Sequence, residues 1–81
     1  MDAVAAVKTA AKRAKISYGA IGRKLGHANN YLANMRTRGS VPNADTLANM
    51  FWVCGYKLVA VPQDNVPEDA IVIDAPANNS E

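Results

Sequence analysis

The sequence predicts a mostly α-helical domain of four short helices followed by a C-terminal β-hairpin. Three observations carry that reading. Apolar residues recur at helical spacing as far as Cys54, after which two β-branched, apolar runs take over. The helical segments are punctuated by residues that start or stop helices: Ser17 and Asn43 suit the starts, Gly26 and Gly55 the ends. A chain of 81 residues, 49% hydrophobic and 20% charged, suffices for one domain around one modest core.

Each element has its own justification. Residues 3–14, AVAAVKTAAKRA, are rich in Ala and contain no Gly or Pro. Val4, Val7, Ala11 and Ala14 share one face, and Lys8, Lys12 and Lys15 lie on another. Ser17 caps a second helix expected over residues 18–25, with Ile16 and Ile21 placed as a hydrophobic staple and Gly26 as the stop. Gly19 and Gly22 inside that helix each cost roughly 1 kcal/mol against Ala, so something must compensate. Close approach of another helix at Gly22 is the natural explanation. A third helix is expected over residues 28–37, with Ala28, Leu32 and Met35 as its apolar stripe. At about 100° per residue, Asn30, Asn34 and Thr37 point away from that stripe.

After the polar turn RTRGSVPN, Asn43 caps a fourth helix, ADTLANMFWVC, with Leu47, Met50, Phe51 and Cys54 on one face and Gly55 as its stop. Residues 56–62 (YKLVAVP) and 69–75 (DAIVIDA) read as strands joined by the turn-rich QDNVPE. The domain is therefore expected to span residues 1–75, with residues 56–75 as the hairpin and residues 76–81 as a polar, disordered tail.

Charge narrows the function classes. Net charge is +2, yet residues 1–40 carry eight Lys and Arg against Asp2, a balance of +7. Residues 41–81 carry Lys57 against six carboxylates, a balance of −5. Such asymmetry points to a polyanionic partner for the first half, the competing reading being a solvated basic face. A single cysteine, Cys54, excludes an internal disulfide, and no Cys/His cluster offers a metal site, so a reduced cytoplasmic protein without cofactor or metal is expected. No apolar run approaches the roughly 20 residues of a membrane span, and the N-terminal stretch lacks the pattern of a secretory signal.

The second and third helices, joined by a glycine turn and with small residues where they would touch, have helix-turn-helix geometry. The stretch SYGAIGRKLGHANNYLANMRTRGS resembles the phage repressor/Cro-like (XRE-like) helix-turn-helix family. The match is positional: a cap at Ser17, aliphatic Ile21, small Gly22, aliphatic Leu25, the turn glycine Gly26, and buried positions at Leu32 and Met35. It covers about residues 3–60 and is strongest over 17–39. Two positions depart from it, since the family usually has Ala or another small residue where Gly22 stands, and often Ser or Thr where His27 stands.

The resemblance implies that the third helix lies in the major groove of double-stranded DNA. Asn29, Asn30 and Asn34 match positions that reach bases, where a bidentate amide suits adenine, and Tyr31 would meet a thymine methyl or a phosphate. Arg36 and Arg38 follow the helix as phosphate clamps, with Ser40 just beyond. Tyr18 stands at the start of the first motif helix, and Arg23, Lys24 and Lys12 are further phosphate candidates. Plainer readings exist for each: Asn29 and Asn30 as turn residues, Arg36 and Arg38 as solvated charges, His27 as a surface residue, Cys54 as a small buried apolar group, and Phe51 and Trp52 as core or interface.

One small helix reads few base pairs, so the leading expectation is a sequence-specific transcriptional regulator, a repressor acting as a homodimer on an inverted-repeat operator. Tyr56, Leu58, Val59, Val61, Ile71 and Ile73 are the expected dimer contacts, because the hairpin is apolar on both faces and an isolated hairpin is marginal. The alternative is a protein-interaction module, such as the antitoxin of a toxin–antitoxin pair, whose acidic second half would hold a basic toxin. An enzyme is the poorest fit, for the sequence offers no nucleophile–base pair, phosphate-cradling glycine loop or metal set.

Overall fold

The structure, a computed structural model, describes residues 1–75. It is mostly helical: α1 (Ala3–Ala14), α2 (Tyr18–Lys24), α3 (Tyr31–Arg38) and α4 (Ala44–Val53). No strand occurs among the described residues. The polar tail expected over residues 76–81 lies outside them. No helix among the described residues is long and apolar enough to cross a membrane.

α1 starts where the Asp2 carboxylate accepts the Ala5 N–H at 2.8 Å, and it ends at Lys15, a non-glycine residue in the left-handed region (φ 58°). Its buried face is built from small side chains, Ala3, Val4, Ala6, Val7, Ala10 and Ala11. Small residues let α4 and α3 come close, and α1 packs on both. Ser17 and Asn43 cap α2 and α4 as expected, accepting from the N–H groups of Ala20 and Thr46. Ile21, Leu32 and Met50 are fully buried between the helices, joined by Met35, Leu47, Phe51 and Cys54.

Four boundaries differ from the sequence reading: α3 ends at Arg38 rather than residue 37, α4 ends at Val53 rather than Cys54, and two more bear on the site. The second helix gives way at Leu25, its C-cap, and the third begins at Tyr31 rather than Ala28. Gly22 explains the later start. A Cβ built there would stand 2.5 Å from the Ala28 carbonyl oxygen and 3.0 Å from Tyr31 Cβ. The chain thus lays the Ala28 carbonyl onto α2, and residues 28–30 form a turn closed by Tyr31 N–H to Ala28 O at 3.1 Å. The close approach inferred at Gly22 is present, and it involves the turn as well as the helix.

The expected C-terminal hairpin is not formed among the described residues. Residues 56–62 and 70–75 are limbs without regular structure, Asp69 lies in the turn before the second, and no ladder joins them. Pro62 and Pro67 each open a turn, with Asn65 N–H donating to Pro62 O and Ala70 N–H to Pro67 O. The second limb then follows α1 instead of its partner. Arg13 donates to Asp69 O at 3.0 Å, Asp74 N–H donates to Met1 O at 3.0 Å, and the Met1 ammonium pairs with the Asp74 carboxylate. The two limbs line an open cleft of about 730 Å³.

Candidate nucleic-acid interface

α3 is fastened by one face and exposed on the other. Leu32 and Met35 are buried in the core, which fixes the rotation of the helix. Ala33, Arg36, Thr37 and Arg38 are consequently exposed. Gly39 in the left-handed region (φ 68°) closes the helix, with Ser40 N–H donating to Met35 O. Arg36 and Arg38 make no ion pair among the described residues, and Ser40 is exposed beside them. Thr37 differs, because its hydroxyl donates to Ala33 O at 2.9 Å.

The three amides sit in different settings. Asn30 is the N-cap of α3, yet its side chain makes no capping bond, so its amide is uncommitted among the described residues. Asn34, one turn later, is half-buried at the edge of the exposed face. Asn29 lies in the turn before the helix, and its Oδ1 accepts from Arg23 Nη1 at 3.0 Å.

Tyr31 is less available than the sequence implied. It is partly buried against the core, and its ring lies flat on His27, with centroids 3.9 Å apart and planes 3° from parallel. The pair braces the turn that leads into α3. Tyr18 is exposed at the start of α2, and Lys8 Nζ lies 5.2 Å from its ring centroid, a cation–π distance. Lys8 is thereby brought to the same end of the molecule as Tyr18. Sequence reasoning put Lys8 only on a basic face, since the pairing joins α1 to α2 across a turn. Lys24 is exposed with no partner recorded among the described residues, whereas Arg23 is engaged with Asn29.

The six expected dimer residues divide. Leu58, Val59 and Val61 are exposed, Val59 at 65%. Tyr56, Ile71 and Ile73 instead pack against the core, Tyr56 tilted on Phe51 at 6.5 Å. The division follows from the second limb lying on α1, which turns Ile71 and Ile73 inward and leaves Val72 outward. Trp52, on the outer side of α4, is 70% exposed and so is not core. Cys54 is buried, and burial pushes its thiol above the usual value of 9.0.

Searches of protein-family models, curated proteins and solved structures find no match to this chain.

Proposed function

We propose that the protein is a sequence-specific, double-stranded DNA-binding transcriptional regulator, a repressor that acts as a homodimer. In this reading α2 and α3 are a helix-turn-helix, and α3 enters the major groove. One observation carries it: α3 is clamped by Leu32 and Met35 while its opposite side and its two ends present Asn30, Arg36, Arg38 and Ser40 to solvent, with Asn34 half-buried at the edge of that face. A helix whose rotation is fixed by packing can hold amides at base edges, and cations beyond its C-terminus can hold phosphates. The surplus of positive charge in residues 1–40 supports the same partner.

The homodimer is supported by the first limb. Its Leu58, Val59 and Val61 side chains are exposed, and the N–H groups of residues 57–61 have no backbone acceptor among the described residues. An unpaired segment rich in β-branched and apolar residues suits strand pairing with a second copy.

Duplex binding titrated against salt tests the DNA reading. A steep salt slope, with a component that resists unrelated competitor DNA, is the expected result. Asn30→Ala or Asn34→Ala should each cost roughly 1–3 kcal/mol of specific binding and relax the preference at one base position. Arg38→Ala should weaken binding to all sequences alike and reduce the salt slope by about one. Weak, sequence-blind binding together with a stable co-purifying protein would favour the interaction-module reading instead.

A further inference from the structure

We infer that Arg23 sets the base preference of Asn29, and that the edge Asn29 reads is an acceptor edge, guanine O6/N7 before thymine O4, rather than the donor–acceptor edge of adenine. This inference rests on the DNA-binding reading above. A guanidinium has only donors, so the amide oxygen of Asn29 must face it and the amide nitrogen must face away. The 3.0 Å bond from Arg23 Nη1 to Asn29 Oδ1 has that sense. Asn29 is exposed and therefore offers its two N–H donors outward.

Adenine recognition by an amide needs the oxygen as acceptor for adenine N6–H and the nitrogen as donor to N7. Here the oxygen already holds a cation's N–H, and a second donor arriving at its other lone pair meets the positive charge of Arg23. Guanine asks only for donors.

Gly19 is the independent observation that this pair is built. A Cβ at Gly19 would stand 3.3 Å from Arg23 Nη1, 3.3 Å from the Asn29 carbonyl oxygen and 3.6 Å from Asn29 Cβ. The glycine floors a slot in which α2 and the following turn hold Arg23 and Asn29 together. This accounts for a helix-interior glycine that the close approach at Gly22 leaves unexplained.

The test is selection of bound duplexes from a random pool with the full chain and three variants. The wild type should enrich guanine over adenine about tenfold at one position. Asn29→Ala should level that position and no other. Arg23→Ala should admit adenine there to within about twofold of guanine. Gly19→Ala, which makes the pair give by only a few tenths of an ångström, should lower the guanine preference in the same direction but by less, with an unchanged salt slope because no charge is lost. Adenine enriched by the wild type at the position that Asn29→Ala levels would overturn the assignment. So would guanine retained in Asn29→Ala, which would give that base to Arg23 itself, or an Arg23→Ala variant with uniform loss and unchanged preference. A pool that never enriches any sequence overturns the DNA-binding reading itself, and a thermal melt of each variant separates misfolding from all of these outcomes.

Discussion

Gly22 is the residue with the least room. The Ala28 carbonyl oxygen occupies the space a Cβ would need, at 2.5 Å, and it belongs to backbone that cannot swing aside. Gly22→Ala would gain roughly 1 kcal/mol of helix propensity, but moving the turn over α2 costs more. The expected net is a loss of about 1–3 kcal/mol in a urea melt. Cys54 gives a pH-dependent counterpart. Its thiol is raised by burial, so the folded state favours the neutral form. Below the usual value of 9.0 both states are protonated and stability is unaffected by it; above that, the unfolded chain ionises first and folded stability falls. Melts at increasing pH should show this decline, and Cys54→Ala should lack the part due to the thiol. At this scale the sequence was legible where sterics decide, as at Gly22. It was not legible where two side chains meet across a turn, as with Arg23 and Asn29 or His27 and Tyr31, because helical periodicity assigns faces and says nothing of side-chain rotamers.

The helices owe their boundaries to local chemistry, which is why most of them could be read. Asp2, Ser17 and Asn43 each accept one N–H of the first turn they precede. Ser17→Ala should cost about 1 kcal/mol, measured as a fall in the denaturation midpoint without a change in slope. α3 is the exception. Asn30 at its N-cap makes no side-chain cap, so its start is decided by the contact at Gly22 rather than by a capping residue. That is a tertiary effect, and the expected start at residue 28 missed it by three residues. α3 accordingly depends on its buried face, and Leu32→Ala should cost roughly 2–5 kcal/mol. The limbs show the opposite balance. Their β-branched residues favour extended backbone, but partner choice was decided by Arg13, Met1 and Asp74, which sit outside any local pattern.

For the whole molecule, the core is made by the four helices, and the first limb contributes an apolar surface to the outside. In the homodimer reading, a charge at Val59 should separate the copies while leaving the fold intact, because Val59 is exposed. Val59→Asp should therefore run as a monomer in sedimentation at concentrations where the wild type pairs. Its unfolding free energy per chain should move by no more than about 0.5 kcal/mol once the wild type is measured dilute enough to dissociate. Loss of pairing should also lower affinity for a two-half-site operator far more than for a single half-site.

The second limb has a consequence for the order of assembly. Its ties, to Arg13 of α1 and to Met1 ahead of that helix, join residues 56 and 73 positions apart in the chain, whereas every helix–helix contact closes within Ala3 to Val53. The helix–helix contacts are closer in sequence than the limb's ties, and long loops close late. The limb is held by Ile71 and Ile73 on the core and by polar ties at Asp69 and Asp74, with its other residues exposed. It is thus the last part to dock and the first to open, so its Asp74 amide should exchange with solvent well before those of α1 and α4. The helix face proposed to read DNA therefore needs no contribution from this limb to form, and in the homodimer reading two copies meet with that face already in place.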